Sequence, residues 1–459
     1  MRRVVGTWLV VALVGAVGGG GFAFARRVDL QSVPHSVYRV SDPLAKNPVE
    51  SSVAIDPGNR DRMIAVSYQT GFDKAPRTTG YIYVSHDGGR TWRNERAGNP
   101  LGRTQGDDVV TFAAPGVALH TYISFLGIRV PNPARAENGI FVTRTDDGGV
   151  TWSNPVTAVD HANTVLPFED KPWIAADGNT VYIAWTRFDE YGITDPSCRT
   201  HIVVARSADG GRTFAMPRPI SDSPGNCIDS DDTVEGAVPA IGVDGRVHVV
   251  WSGPKGLVHD SSADGITWGE DRVVSNNPGG WDIPIPGITR HNGMPVTMVD
   301  RGNGPHRGTI YVNWIDERHG DPDVFVTKSA DHGATWSAPV RVNNDPSKNG
   351  AVQFFTWMAV DPSDGSVNVL FYDRRPLRQG FAGQGGRSGT RSGLTLARST
   401  DGGATFANYA VGIPDFEVTD KVTFGDYLGV DARDGRVVGV FPHIVDGNVV
   451  LSAAVFDFR

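Results

Sequence analysis

The sequence is poor in cysteine and has neither a run of basic residues nor a heptad pattern. Only two of its 459 residues are cysteine, Cys198 and Cys227, which disfavours a cysteine-based metal centre. The net charge of −8 is mild and dispersed, so nucleic acid and anionic membrane surfaces are not expected partners. Beyond residue 25, no stretch approaches the length of a membrane-spanning helix. We expect no cofactor and no metal.

Glycine and proline, by contrast, are abundant. The chain has 56 glycines and 30 prolines, and 39% of its residues are hydrophobic. This composition is typical of a large all-β protein with many tight turns and a sizeable core.

The first 25 residues have the pattern of a secretion signal. Arg2 and Arg3 precede an apolar stretch at 8–17, and small residues at 23–25 offer a cleavage site. A retained membrane anchor is the alternative, but glycines at 18–21 interrupt the apolar stretch and leave it short for a span. We predict a signal peptide at 1–25, a short linker at 26–35 and a secreted protein that is a monomer.

One short pattern occurs six times, with first residues 55 to 70 positions apart. The copies are Ser-His-Asp-Gly-Gly-Arg-Thr-Trp at 85–92, Thr-Asp-Asp-Gly-Gly-Val-Thr-Trp at 145–152, Ser-Ala-Asp-Gly-Gly-Arg-Thr-Phe at 207–214, Ser-Ala-Asp-Gly-Ile-Thr-Trp at 262–268, Ser-Ala-Asp-His-Gly-Ala-Thr-Trp at 329–336 and Ser-Thr-Asp-Gly-Gly-Ala-Thr-Phe at 399–406. A fixed period of this size indicates a repeat architecture in which each unit stacks on its neighbours. Asp-Gly-Gly predicts a hairpin turn, and six similar copies favour a structural role for the aspartates.

The pattern is the Asp box, so residues 36–459 resemble the sialidase-like β-propellers, also called bacterial neuraminidase repeat proteins. The resemblance implies a single all-β propeller of four-stranded antiparallel blades, with the six boxes at the turns between third and fourth strands. The unit that precedes each box occurs seven times, beginning near Glu50, Asp107, Glu169, Glu235, Asn292, Gln353 and Asp426. We therefore predict seven blades, with residues 36–41 completing the last one beside 449–456. Six blades is the alternative.

In a propeller of this kind, the starts of the innermost strands converge on a central funnel. The residues expected there as catalytic groups are Glu50, Glu169, Asp170, Glu235, Asp426 and Tyr427, with Asp107, Asn292 and Gln353 as substrate-binding groups. Convergent polar groups in a cleft are typical of a binding site, although each could merely cap a strand. Second strands end on the same face, and three of them continue into an arginine. Arg187, Arg318 and Arg374 are predicted to bind an anionic group of the substrate, or alternatively to pair with neighbouring carboxylates.

The two cysteines fall in neighbouring loops of this face. A Cys198–Cys227 disulfide is expected, because an exported chain meets an oxidising environment. The bond would stiffen the acidic loop at 229–232, which we interpret as solvated, since it lacks a calcium-loop pattern.

The resemblance implies exo-α-sialidase chemistry, in which an arginine triad, a tyrosine nucleophile with a glutamate, and an aspartic acid–base act together. The Arg-Ile-Pro or Arg-Leu-Pro motif of the first arginine is absent; Tyr38-Arg39-Val40 is the nearest stretch, and the blade count places it on the closing strand. Two function classes follow. The first is a secreted glycan-active protein of the glycoside hydrolase type, and the second is a non-catalytic propeller that binds a glycan, another anionic extracellular ligand or a protein.

Overall fold

A computed structural model describes residues 30–69, 79–100, 102–128, 136–164, 166–375, 390–418 and 423–459. Within these ranges the chain forms 29 β-strands and no helix. None of the described residues therefore belongs to a helix that could cross a membrane. The predicted signal peptide at 1–25 lies outside the described residues, as do residues 26–29 of the linker at 26–35.

The strands form seven antiparallel sheets, each of which is one blade. The chain opens with β1 (His35–Arg39). Blade 1 contains β2 (Pro48–Asp56), β3 (Asn59–Gln69), β4 (Thr79–Ser85) and β5 (Arg93–Arg96). Blade 2 contains β6 (Thr104–Ala114), β7 (Val117–Leu126), β8 (Glu137–Thr145) and β9 (Val156–Ala162). Blade 3 contains β10 (Phe168–Asp177), β11 (Thr180–Phe188), β12 (Thr200–Ser207) and β13 (Arg218–Pro219).

The remaining blades repeat the same order. Blade 4 contains β14 (Glu235–Ile241), β15 (Val247–Gly253), β16 (Gly256–Ser262) and β17 (Arg272–Ser275). Blade 5 contains β18 (Val296–Val299), β19 (Ile310–Asp316), β20 (Asp323–Ser329) and β21 (Val340–Arg341). Blade 6 contains β22 (Gln353–Val360), β23 (Val367–Asp373), β24 (Arg391–Ser399) and β25 (Ala407–Ala410), with β26 (Phe416–Glu417) as an extra short strand against β24. Blade 7 contains β27 (Gly429–Arg433), β28 (Arg436–Val445) and β29 (Asn448–Asp457).

The amino-terminal strand closes the ring. β1 is the fourth strand of blade 7, and it pairs with β29 so that Ser36 lies opposite Val455 and Arg39 opposite Ser452. This pairing removes the exposed sheet edge that the last strand would otherwise present. The seven-bladed propeller closed by its own amino-terminal strand is confirmed, and the six-bladed alternative is wrong.

First strands line the centre of the ring, since those of neighbouring blades pack against one another. Apolar side chains fill the spaces between blades. The aromatic residues that close the boxes belong to these layers, as when Trp92 packs beside Met63 and Val455. Parallel arrangement of the blades thus places every first-strand start on one face, which is the face of the predicted funnel.

Each box forms the turn between the third and fourth strands of its blade. In blade 2, the carboxylate of Asp147 accepts hydrogen bonds from the amides of Val150 and Thr151 (3.0 and 2.9 Å) and from the hydroxyls of Thr145 and Thr151 (2.7 and 2.6 Å). Four donors converge on one exposed carboxylate, so its function here is to fix the turn.

Replacement of the box aspartate is expected to destabilise the fold. Asp147→Ala removes four hydrogen bonds and should lower the free energy of unfolding by about 1–3 kcal/mol. Asp146→Ala is the matched control, because the Asp146 side chain is 59% exposed and its ion pairs with Arg144 and Arg212 contribute little in contact with water. Denaturant-induced unfolding measures both. Equal stability of the two variants would contradict the structural role of the box.

Candidate active site

Five of the first strands begin with a β-bulge that interrupts their pairing. The bulged residues have positive φ angles: Glu50 (51°), Asp107 (55°), Lys171 (51°), Gly236 (71°) and Phe355 (44°). Four of the five are not glycine, although this backbone region is unfavourable for a residue with a Cβ atom. Bulges re-aim side chains and concentrate beside functional sites. The funnel rim is therefore strained at repeated, equivalent positions.

The re-aimed side chains meet across the ring. Lys171 Nζ donates to Asp426 Oδ2 at 2.6 Å, which joins blade 3 to the loop before blade 7. The Lys171 amide donates to Asp107 Oδ2 at 3.1 Å, and the Asp426 amide donates to Glu50 Oε1 at 3.1 Å. Lys171 and Asp426 are 5% and 7% exposed, so this ion pair is shielded from water.

Two residues at the mouth belong to the same assembly. Arg290 Nη2 lies 3.4 Å from Asp426 Oδ2 and 3.3 Å from Asp229 Oδ1, and Asp229 also accepts a hydrogen bond from Tyr191 at 2.5 Å. We call the whole set the funnel cluster; its members are Glu50, Asp107, Asp170, Lys171, Asp229, Glu235, Arg290 and Asp426. Sequence reasoning missed Arg290, which no motif marks, and interpreted the loop of Asp229 as solvated.

The funnel cluster holds six carboxyl groups and two cations, and this imbalance separates the pKa values of its acids. Burial raises the pKa of Asp170 to about 7; Lys171 opposes this shift, while Asp107 adds to it. Burial also raises the pKa of Glu50, with further contributions from Asp107 and Asp426. Burial alone would raise the pKa of Asp426 too, but the charges of Lys171 and Arg290 outweigh it and hold that pKa below the usual range.

Glu235 is the most deeply buried member of the cluster. It is 1% exposed, and neither of its carboxyl oxygens has a hydrogen-bond donor. Burial, together with the adjacent charge of Asp229, raises the pKa of Glu235 well above its usual range. Glu235 is therefore protonated beside an ionised Asp229, and the opposing charges of Lys171 and Arg290 keep the pKa of Asp229 low against the effect of burial. Among the described residues, no group of three or more His, Cys, Asp or Glu side chains is placed to hold a metal ion.

An aromatic layer lies next to the cluster. Trp173 and Trp357 have ring centroids 4.1 Å apart, and Tyr427 meets Trp173 edge-on at 5.0 Å. Tyr427 is 4% exposed; burial raises the pKa of its hydroxyl, which lies 3.4 Å from the carbonyl oxygen of Asp108. A buried phenol with a raised pKa stays neutral, so the surroundings of Tyr427 do not activate it as a nucleophile.

Glu169 lies apart from these contacts. Its carboxylate accepts hydrogen bonds from Arg187 Nε (2.9 and 3.1 Å) and from Trp185 Nε1 (2.5 Å), and His161 Nε2 lies 2.7 Å away. Glu169 and Arg187 thus satisfy each other locally. Their predicted catalytic and substrate-binding roles remain predictions, which these contacts do not favour.

The other predicted arginines differ from each other. Arg318 binds Asp316 through Nε (2.9 and 2.8 Å) and is engaged locally. Arg374 donates from Nε to Ser392 at 3.0 Å, whereas its two Nη atoms are buried without acceptors. Its guanidinium lies 5.0 Å from the centre of the Phe354 ring, and burial lowers its pKa to about 10. Of the three, Arg374 is the one whose terminal nitrogens the described residues leave unpaired.

The two predicted amide residues, Gln353 and Asn292, also differ in how fully their side chains are hydrogen-bonded. Gln353 is fully buried; its oxygen accepts from Asn343 at 2.8 Å and its nitrogen donates to Asp373 at 3.1 Å. Asn292 accepts from the Met294 amide at 3.2 Å, but its own nitrogen is buried without an acceptor. Gln353 therefore has the contacts of a structural residue, and Asn292 keeps a donor available.

A cavity of about 440 Å³ lies at the end of the channel opposite the funnel cluster. It is bounded by the ends of the first strands, and its charged lining residues are Asp177, Asp431, Arg301 and Arg433 among many apolar ones. Burial raises the pKa of Asp431 to about 6, and its carboxylate accepts the Ile55 amide at 2.7 Å. Because the convergent charged groups lie at the other end, the funnel remains the candidate active site.

The predicted disulfide is confirmed. Cys198 and Cys227 form a bond with a Cα–Cα distance of 5.8 Å and a sequence separation of 29 residues. The bond links a loop of blade 3 to the segment that carries Asp229, two residues beyond Cys227. It therefore holds one carboxylate of the funnel cluster in place.

Comparisons with known proteins agree with this architecture. The BNR/Asp-box repeat family model matches residues 83–94. The chain is 26% identical over 307 residues to the xyloglucanase Xgh74A of Acetivibrio thermocellus; the match covers 62% of this chain and 32% of that enzyme. The chain thus spans about a third of the length of this relative.

Solved structures show the same fold at low identity. One is a protein of unknown function from Dyadobacter fermentans, with a TM-score of 0.50 and 13% identity, covering 92% of this chain and 98% of that one. Another is the PL25 ulvan lyase bound to -[GlcA(1-4)Rha3S]-, with a TM-score of 0.50 and 15% identity, covering 90% and 95%. With its six boxes and seven blades, the chain is a seven-bladed β-propeller that carries Asp-box (BNR) repeats.

Removal of the disulfide should destabilise the protein and loosen the site. The Cys198→Ser/Cys227→Ser variant should lose about 3 kcal/mol of unfolding free energy, because the 29-residue loop gains freedom in the unfolded chain. Hydrogen exchange should also accelerate at 227–234 compared with the wild type. Unchanged exchange in that segment would show that the bond does not position Asp229.

Proposed function

We propose that this protein is a glycan-active enzyme of the glycoside hydrolase type, acting at the funnel cluster. The observation that carries the proposal is that two acids of the funnel cluster have pKa values shifted in opposite directions. The pKa of Asp170 is raised to about 7, while that of Asp426 is held low. Glycoside hydrolysis uses such a pair, in which a protonated carboxyl acts beside an ionised one.

Asp170 has the properties of the general acid. A group with a pKa near 7 is protonated in a useful fraction of molecules at neutral pH and gives up its proton readily. In the proposed step, Asp170 donates that proton to the glycosidic oxygen as the bond from this oxygen to the anomeric carbon breaks. The leaving sugar departs as an alcohol, and water adds to the anomeric carbon and gives its proton to the Asp170 carboxylate, which restores the acid.

Asp426 supplies the ionised carboxylate. In the transition state the sugar carries positive charge, which a fixed negative group stabilises. Lys171, at 2.6 Å, holds Asp426 in its ionised form and in one orientation. Lys171 is thus a positioning residue, and Glu50, which accepts the Asp426 amide, supports the same geometry.

The relatives support a glycan as the substrate class. The xyloglucanase and the ulvan lyase are both named for polysaccharides, and both resemble this chain. Sialidase specificity is the narrower version of the proposal, and it would require several arginines that bind the carboxylate of the substrate. The candidates are Arg374, whose terminal nitrogens are unpaired among the described residues, and Arg290, whose side chain is 41% exposed. The disulfide, which persists in oxidising compartments, supports secretion.

A non-catalytic glycan-binding propeller is the second candidate. It is favoured by the engagement of Asp426 with two cations, Lys171 and Arg290, because a carboxylate so fixed has less freedom to act as a nucleophile. In that case the funnel would recognise a sugar without cleaving it.

The two candidates are separated by the Asp170→Asn variant. On a panel of chromogenic glycosides and polysaccharides, including a sialoside and xyloglucan, the wild type should hydrolyse at least one substrate. Loss of the general acid should reduce kcat/KM about 100-fold or more while the melting temperature stays within a few degrees. Wild-type kcat/KM should fall above pH 7, because Asp170 loses its proton there.

Glu317→Gln is the matched control, since it alters a carboxyl of the same face outside the funnel cluster. It should retain wild-type rates and the same pH profile. Full activity of Asp170→Asn, with an unchanged fall above pH 7, would refute the assignment of the acid. Sugar binding without turnover on the whole panel would establish the binding candidate.

A further inference from the structure

We propose that Asp229, Glu235 and Asp426 form a cation subsite that binds the ammonium group of a de-N-acetylated amino sugar. This inference rests on the proposed function, because it names a substrate class for the same funnel. It concerns recognition, however, and can hold or fail independently of hydrolysis.

The first observation is a buried carboxyl without a donor. Glu235 is 1% exposed, and both of its oxygens lack hydrogen-bond partners. Oε2 of Glu50 is in the same situation, in a residue that is 4% exposed. Buried polar atoms are nearly always satisfied, and leaving them unsatisfied is unfavourable. These oxygens therefore await a donor that the described residues do not supply.

The second observation is that the Arg290 side chain lies at the entrance of the funnel, against two carboxylates of the cluster. Arg290 reaches Asp229 and Asp426 through one nitrogen, at 3.3 and 3.4 Å, and its side chain is 41% exposed. The partner carboxylates are largely buried, but the contacts are longer than a usual charged hydrogen bond and the arginine itself is open to solvent, so a ligand can reach it and compete with it. Lys171, in contrast, is buried and bound at 2.6 Å. Arg290 is thus a displaceable cation that covers a site suited to cations.

Charge decides which ligand fits. Burial and the neighbouring carboxylates raise the pKa of Glu50 and Glu235, so an anionic sugar would add to this repulsion, whereas a cationic group would favour the ionised forms of both. Asp229 and Asp426 both lie within 3.4 Å of Arg290 Nη2, and Glu235 lies beside Asp229, so a cation in place of Arg290 would meet two carboxylates and a third carboxyl next to them. An ammonium can supply three donors to such a set. An acetylated nitrogen lacks the charge and has a single donor, so it matches the subsite poorly.

Ligand binding should be coupled to proton release. Glu235 is faced by Asp229, Lys171, Asp170 and Arg290, and before binding it is protonated, because burial and the charge of Asp229 raise its pKa. An arriving ammonium favours the ionised form of Glu235, so that proton leaves to the solvent. A cationic ligand that bound elsewhere on the surface would not release it.

Isothermal titration calorimetry with defined probes tests the subsite. The glucosamine trisaccharide should bind at least about tenfold more tightly than its fully N-acetylated counterpart, because one charged hydrogen-bonded contact has about that effect. The heat of binding should vary with the ionisation enthalpy of the buffer, which reports proton release. Spermidine, a cation without a sugar ring, should bind more weakly than the trisaccharide.

Three variants sharpen the test. Glu235→Gln should abolish both the preference for the free amine and the proton release, with little change in thermal stability, since the buried carboxyl that it replaces is already neutral before the ligand binds. Arg290→Ala should tighten binding of the glucosamine trisaccharide several-fold, because the competing cation is gone. Glu317→Gln should bind like the wild type.

Equal affinity for the two trisaccharides, or weaker binding by Arg290→Ala, would overturn the cation subsite. Tighter binding of spermidine than of the sugar would also overturn it, since the site would then recognise charge alone. If hydrolysis depends on Asp170 while neither amine preference nor proton release is found, this inference fails and the proposed function stands. If both are found without turnover of any glycoside, the proposed function fails and the subsite stands.

Discussion

The ion pair between Lys171 and Asp426 is the interaction on which the funnel depends. It crosses from blade 3 to the loop before blade 7 and lies among carboxyl groups that burial would otherwise force to protonate or separate. Removing two charges from water is unfavourable unless their geometry is good and their remaining atoms are bonded. Here the backbone amides of both residues bind further carboxylates, Asp107 and Glu50, and thereby complete the arrangement.

The bulges explain how such a cluster can form on a regular repeat. A uniform first strand would alternate its side chains between the two faces of the blade. The left-handed residues Glu50, Asp107 and Lys171 break that alternation at equivalent places in three consecutive blades. Strain of this kind persists only where the surrounding structure enforces it, and it is common where a site must be preorganised. The rest of each blade, fixed by its box and its apolar layers, provides the enforcement.

The boxes and the sevenfold unit around them were sufficient to predict the fold and its closure by β1, because both follow from a repeated local pattern, and the two cysteines with the export signal were sufficient to predict the disulfide. They did not predict which neighbouring side chain enters the funnel. In blade 3 the candidates were Glu169 and Asp170, yet Lys171 forms the link across the ring, since a bulge shifts the side-chain alternation by one residue. Arg290 and Asp229 lie on long loops without periodicity, so only the folded chain brings them to the mouth.

The excess of carboxyl groups over cations in the funnel cluster should keep at least one carboxyl protonated at neutral pH. Infrared difference spectroscopy at pH 7, comparing the wild type with Glu235→Gln and Asp170→Asn, measures this most directly, because protonated carboxyls have a C=O stretching band that carboxylates lack. We expect the band of protonated carboxyls in the wild-type spectrum, and we expect Glu235→Gln to remove part of it. A wild-type spectrum that contains ionised carboxylates alone, and whose shape neither substitution changes, would show that no funnel carboxyl is protonated at pH 7.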